Sequence, residues 1–483
     1  MNEQHIDVLV VGAGISGIGA GYYLKTKCPN KSFKILESRK KLGGTWDLFK
    51  YPGIRSDSDM TTMGFRFKPW TGKNLVAGGS AILDYLNDVV DENGFRDKIQ
   101  FNSHVIKASW KSSESKWYVT YQNKNDHSKT IITCNFLYFC VGYYDYEKGH
   151  EPEFNGQNKF NGTIIHPQHW PENLDYKDKN VVVIGSGATA VTLIPSMANK
   201  TRHITMLQRS PTYYMVRPNI DPIGAFFRRF MGKTVSYFVM RWKNIQLQSW
   251  FFKRARKDPK LIKDFLIGVV KEKLDPEHNV DKHFTPSYNP WEQRLCLVPD
   301  GDLFNAINEG KASVVTDQID SFTPDGIKLE SGDELKADII VTATGLKLMV
   351  CSNIEISVDD QIIDISKTMT YKGMMVSDVP NVVWTFGYTN ASWTLRADLT
   401  AEYTCKILNY MDKNGYCIAT PTPSSEVGEE GSWLDFNSGY VTRSTHLFPR
   451  QGNRDPWRNT QNYTKDVVSL RYGKVKDDEL EFS

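Results

Sequence analysis

Small residues at dinucleotide-binding spacing occur twice in this chain. Gly12, Gly14 and Gly17 follow the apolar run Val8 to Val11 and open a helix-like stretch. Alone, G-x-G-x-x-G is a weak signal. It gains weight from a second apolar strand, FKILES, which ends in Glu37, 25 residues after Gly12. At that distance a carboxylate can bond ribose hydroxyls. Gly12 then makes the tight turn, Gly14 lets backbone approach a pyrophosphate, and Gly17 lets helix and strand pack closely.

The second copy is VVVIGSGATAVTLI, with Gly185, Gly187 and Ala190 at the three small positions. Its second strand leads to Arg209 and Ser210, and Arg209 stands 24 residues after Gly185, about where the first copy has its acid. A carboxylate repels a 2′-phosphate, whereas an arginine fork with a neighbouring hydroxyl binds one. The contrast predicts a dinucleotide with a free ribose in the first copy and NADPH in the second. Two nucleotide sites in one chain imply electron transfer between cofactors, and FAD is the natural second one.

Other loops bring backbone close to something flat or charged. One runs from Gly43, Gly44, Thr45 and Trp46 through Pro52 and Gly53 to Asp57, and is assigned to the first cofactor site; others are the strand exits at Gly142 and Gly345. His166 and His169 stand three apart in FNGTIIHPQHWP, but no helical i, i+4 pair and no cysteine or carboxylate cluster accompanies them, so no metal is expected.

The elements that must position these residues are strands running into glycine turns and helices, which makes the fold class α/β, with two Rossmann-like dinucleotide-binding domains. At 483 residues the chain can bury a large core. A formal net charge of +3 argues against nucleic acid as a partner. Seven scattered cysteines without a CxxC exclude a disulfide framework and a thiol redox pair, and fit a reducing, cytoplasmic setting. The N-terminus enters a strand pattern at once, and no apolar run reaches the roughly 18 residues a membrane span needs. Residues 226–263 differ from the rest, carrying nine Phe, Tyr and Trp with eleven Lys or Arg and one acid, Asp258. Helices are expected there, either capping a substrate cavity or lying peripherally on a membrane.

The run Phe160, Gly162, His166, Trp170, Pro171 matches F-x-G-x-x-x-H-x-x-x-W-P at every fixed position. In this it resembles the Baeyer-Villiger monooxygenases, flavoproteins that carry this fingerprint between two dinucleotide-binding motifs. The likeness runs nearly end to end. Segments such as NPWEQRLCLVPDGDLF and FPRQGNRDPWRNTQNY resemble especially the branch containing the mycobacterial ethionamide-activating monooxygenase.

The resemblance implies FAD and NADPH as cofactors, O2 as co-substrate, and conversion of a small ketone to an ester or lactone through a C4a-peroxyflavin, with sulfoxidation of thioethers or thioamides as a further activity. It places Arg294 as the charge that stabilises the developing oxyanion and Asp57 as the acid that positions it. It divides the chain into an FAD domain (1–145 and 346–483), an NADPH domain (146–212 and 291–345) and a helical insertion over the active site (213–290). It makes His166 and Trp170 residues that fix how the two domains sit. One departure stands out: Gln293 occupies a position where many members carry a lysine that assists the 2′-phosphate. The rivals are an N- or S-oxidising flavin monooxygenase, which Trp170 disfavours, and a flavin-binding redox sensor without oxygenase activity, which Asp57 and Arg294 disfavour.

Overall fold

The computed structural model describes residues 4–293, 295–433 and 438–483. The first sheet grows from β1 (Gln4–Val11), which leads through the Gly12 turn into α1 (Ile15–Lys27) and returns as β2 (Phe33–Leu36). β1 runs parallel to β2 on one side and to β6 (Lys129–Phe139) on the other. Both faces are covered, so Val8 to Val11 form an unbroken apolar run rather than an alternating one. β3 (Ile99–Gln100) extends the parallel edge, and β4 (Ser103–Lys111) and β5 (Lys116–Asn123) form an antiparallel meander that joins β6. Late residues come back to this sheet: Glu355–Val358 pairs with β4, and Val382–Trp384 pairs in parallel with the end of β6. Helix Trp393–Asn414 lies against α1 on one face, and Trp110 and Trp117 are fully buried in the core of the other.

The second sheet has five parallel strands. β7 (Thr163–Ile165), β8 (Asn180–Ile184) and β9 (His203–Gln208) combine with Ala312–Thr316 and Ile339–Thr342, and α2 (Ala188–Met197) links β8 to β9. One face packs on α2, the helix Asp302–Asn308 and apolar residues that follow β9 in the chain, such as Val270 and Phe284. A three-stranded antiparallel sheet, 319–336, covers the other. The chain therefore has the mixed α/β fold with two Rossmann-like nucleotide-binding domains.

Between β9 and the last strands of this sheet stand α3 (Pro222–Lys257) and α4 (Pro259–Lys273). Each begins on an aspartate cap followed by proline at the first helical position. Asp221 accepts from the N–H groups of Ile223 and Gly224, and Asp258 from that of Leu261. Gly232, at φ +75° and ψ 171°, kinks α3 near its start. Buried Arg241 ties α3 to the first domain by donating to the carbonyls of Thr61, Thr62 and Gly64. No helix among the described residues is long and apolar enough to cross a membrane.

Candidate active site

The first glycine turn has little freedom. Gly12 sits at φ +101°, and a Cβ there would fall 2.6 Å from the Cys140 carbonyl oxygen; one on Gly17 would fall 1.8 Å from that of Gly12. These two glycines set the packing of α1 on β1. Gly14 differs: a Cβ on it would meet only Gly44, at 3.6 Å, so its backbone faces open space at the helix N-terminus. The Glu37 carboxylate lies at the end of β2, nearly buried, accepting from the N–H of Ala13 (2.7 Å) and of Arg39 (2.8 Å). Burial raises its pKa, and those hydrogen bonds pull it partly back.

Opposite this turn runs the Gly44–Asp57 loop. Gly44, at φ +56°, caps the short helix Thr45–Leu48, and Thr45 Oγ1 lies 3.3 Å from the Tyr146 hydroxyl. The loop then crosses to the second domain. Tyr51 is buried in that domain's core, and a Cβ on Gly53, at φ +75°, would fall 1.8 Å from Ser196 Oγ on α2. Arg55 forms an ion pair with Asp302. A cavity of about 990 Å³ lies along the loop, lined by Gly12, Gly14, Glu37, Gly44, Thr45, Trp46 and Asp57. Its residues fit a dinucleotide: a bare glycine cradle, a helix N-terminus, and a carboxylate at ribose distance along the chain.

The second turn repeats the first. Gly185 has φ +131°, with the Ala343 carbonyl oxygen 2.4 Å from where a Cβ would be. Gly187 opens α2 with nothing within 4 Å of its Cβ position, and Ala190 is fully buried behind it. Ser186 Oγ donates to the Ser210 carbonyl, holding Ser210 beside the turn. Arg209 is exposed. A cation that sequence reasoning did not pick out, Arg443, approaches from the C-terminal part: its Nη2 lies 3.8 Å from a Cβ position on Gly345. Partial burial, and then the Arg209 charge, lower the Arg443 pKa. Among the described residues neither guanidinium has a carboxylate partner, an arrangement that an anion would relieve. No spacing in the sequence links Arg443 to the second glycine turn, some 250 residues away.

The fingerprint residues lie outside the cavity. Phe160 packs edge-to-face on Phe322, Trp170 is buried in the second core, Pro171 is exposed, and a Cβ on Gly162 would fall 2.3 Å from the Asp338 carbonyl oxygen. The His166 ring lies on the Gly149 backbone. Its Nε2–H donates to the Gly345 carbonyl at 3.3 Å, while Nδ1 accepts from the Gln168 N–H at 3.3 Å. Only the neutral ring with its proton on Nε2 satisfies both. Burial lowers the His166 pKa, partly offset by the Gly345 bond. Gly345, at φ +108°, also accepts from the His150 N–H and is followed at once by Leu346, which lines the cavity. His169 is exposed, and its Nε2 donates to the Glu147 carbonyl at 2.8 Å.

The far wall of the cavity is apolar. α3 and α4 supply Trp250, Phe251, Phe265 and Leu266, joined by Trp291 and Leu295. Arg294 itself lies outside the described residues. Trp393 also lines the cavity; its Nε1–H donates to Ser16 Oγ at 2.7 Å, and its ring fits where a Cβ on Gly387 would collide with it.

A profile described as Flavin-binding monooxygenase-like matches residues 73–379, and a second, NAD(P)-binding Rossmann-like domain, matches residues 10–70. The chain belongs to the flavin-binding monooxygenase family. It is 50% identical over 482 residues to the FAD-containing monooxygenase EthA of Mycobacterium tuberculosis, covering 99% of this chain and 98% of that one. It is 48% identical over 482 residues to the probable FAD-binding monooxygenase AlmA of Acinetobacter baylyi, covering 99% and 96%. Its fold superposes on an oxidized steroid monooxygenase bound to NADP with a TM-score of 0.79 at 20% identity, covering 99% of each chain. The protein is thus a flavin monooxygenase that uses FAD and NADP(H).

Proposed function

We propose that this monooxygenase inserts one oxygen atom of O2 into small apolar ketones to give esters or lactones, and that it also oxidises the sulfur of thioethers or thioamides. The observation that carries the reading is the cavity itself. It runs from the first glycine cradle past Asp57 to an apolar wall built by the helical insertion, so a flat cofactor and an apolar substrate fit end to end. Bound there, FAD reduced by NADPH would supply the electrons that activate O2; the overall balance is ketone, O2, NADPH and a proton to ester, water and NADP+.

The chain's own residues have five tasks. Gly12, Gly14, Gly17 and Glu37, with Gly44, Thr45, Trp46 and Asp57, seat the FAD. Gly185, Gly187 and Ala190 seat the nicotinamide cofactor, with Arg209, Ser210 and Arg443 around its 2′-phosphate. Arg443 then does what the lysine replaced by Gln293 does elsewhere. His166, holding the Gly345 carbonyl, fixes the strand exit between the two sites, and Trp170 anchors the same segment in the second core. Arg294, next in sequence to the cavity-lining Leu295, provides the permanent charge an oxyanion needs, oriented by Asp57. The apolar wall keeps water from the reacting atoms.

The test is product analysis with isotopically labelled O2, NADPH and a panel of linear, cyclic and aromatic ketones plus one thioether. Ester carrying one labelled oxygen supports the proposal. Labelled sulfoxide without any ester would move the protein to the heteroatom-oxidising group, and hydrogen peroxide alone to the sensor reading.

A further inference from the structure

α3 is inverted relative to an ordinary surface helix. Its inner face buries Tyr237, Arg241 and Asn244, whose polar groups bond to the first domain, and Ser236, whose hydroxyl donates to the Gly224 carbonyl across the kink, while its outer face shows Val235, Phe238 and Trp242 at i, i+3 and i+7, with Trp250 about two turns further on. Trp242 is 68% exposed and Phe230, before the kink, 67%. Twelve of the seventeen exposed large apolar side chains among the described residues fall between positions 220 and 265. A soluble helix turns its polar side outward, so an outer face like this calls for an apolar cover.

Charge says which cover. Arg229, Lys233, Lys253, Lys257 and Lys260 stand on the same helices and make no ion pair among the described residues, within residues 226–263, where the only acid is Asp258. Exposed Trp and Phe edged with Lys and Arg suit the boundary of an anionic bilayer; a protein interface is depleted in lysine. The cavity adds a third observation. Leu247, Trp250 and Phe265 belong to the exposed patch and also line the cavity, so the cavity reaches the surface within the apolar face.

We infer that α3 and the start of α4 dock the protein on an anionic lipid surface, and that apolar substrate enters the cavity from the lipid side. The docking stands on the surface alone; the entry route rests on the oxygenase reading given above.

The holoenzyme is sedimented with vesicles of phosphatidylcholine alone and of equimolar phosphatidylcholine and phosphatidylglycerol. Binding to the anionic vesicles, weakened by salt, is the expected result. The double variant Phe230→Ser/Trp242→Ser, neither residue lining the cavity, should lose at least about tenfold in bound fraction. Lys233→Glu/Lys253→Glu should lose the preference for anionic lipid. The first variant should turn over a water-soluble ketone at the wild-type rate and an apolar ketone presented in vesicles more slowly. Failure to bind either vesicle would overturn the docking. So would a concentration-dependent dimer in sedimentation equilibrium that Trp242→Ser abolishes, since a second copy would then cover the face. Docking with equal loss on both ketones, or with none on either, would overturn the entry route. Sedimentation needs no turnover, so absence of ester from any ketone would count against the oxygenase reading and leave the docking result standing.

Discussion

Gly187→Ala separates a cofactor cradle from a mere turn. At φ −79° the position suits any residue, and nothing lies within 4 Å of the Cβ the substitution would add. The unfolded chain loses some freedom, worth about 0.4–1 kcal/mol in favour of folding. Alanine is a poorer cap than glycine, which offsets a comparable amount. Net stability should therefore move by less than about 1 kcal/mol, a shift of a few degrees in Tm at most. Binding should not be spared. The new methyl group would occupy the space where a pyrophosphate reaches the N–H groups opening α2, and a hydrogen bond to a charged group is worth about 1.5–3 kcal/mol. Losing one such bond weakens NADP+ binding roughly ten- to a hundredfold. Calorimetric titration of the FAD-loaded protein with NADP+, beside a thermal melt and the flavin absorbance spectrum, reads all three quantities. Gly17→Ala is the contrast, since its Cβ would meet the Gly12 carbonyl oxygen at 1.8 Å and must displace α1 from β1. That variant should purify unstable and poor in flavin. An unchanged NADP+ affinity in Gly187→Ala would refute the placement of the cofactor at this helix.

Arg209→Ala should cut the preference for NADPH over NADH by about tenfold or more, since a charge-assisted bond is lost only with the phosphorylated cofactor; an unchanged ratio removes Arg209 from the site. Arg443→Ala should share that effect when 2′,5′-ADP binding is titrated directly, and equal affinities of variant and wild type would return Arg443 to a surface role. Arg294→Ala should still oxidise NADPH but form no ester, a loss on the order of 100-fold or more, and normal ester yield would refute its assignment. His166 is neutral in the fold with its pKa lowered, so the unfolded chain binds the extra proton first. Stability from this contact is complete above the unfolded pKa of about 6.5 and is lost as pH falls through the folded value. Thermal melts of wild type should decline below about pH 6.5 more steeply than those of His166→Asn, and parallel curves would show that the ring is not what titrates.

The sequence by itself determined the local chemistry of the two nucleotide turns. A parallel strand buried on both faces must be continuously apolar, and the turn after it must be glycine where φ is positive or a carbonyl is too near for a Cβ. Gly12, Gly17 and Gly185 meet those conditions, and the exposed Arg209 against the buried Glu37 was legible as a difference in ligand because charge type is written in the residue. The aspartate-proline starts of α3 and α4 were equally local. Tertiary structure decided what distant segments do to one another. It set Gly53 against α2, brought Arg443 beside Gly345, and turned His166 of FNGTIIHPQHWP toward a backbone carbonyl rather than into the cavity. It also decided which face of α3 is buried. Aromatic and basic residues at helical spacing are compatible with a capped cavity or a lipid-facing surface alike, and only the contacts of Arg241 and Asn244 with the first domain leave Trp242 and Phe238 pointing outward. Such contacts join residues far apart in the chain, and no periodicity records them.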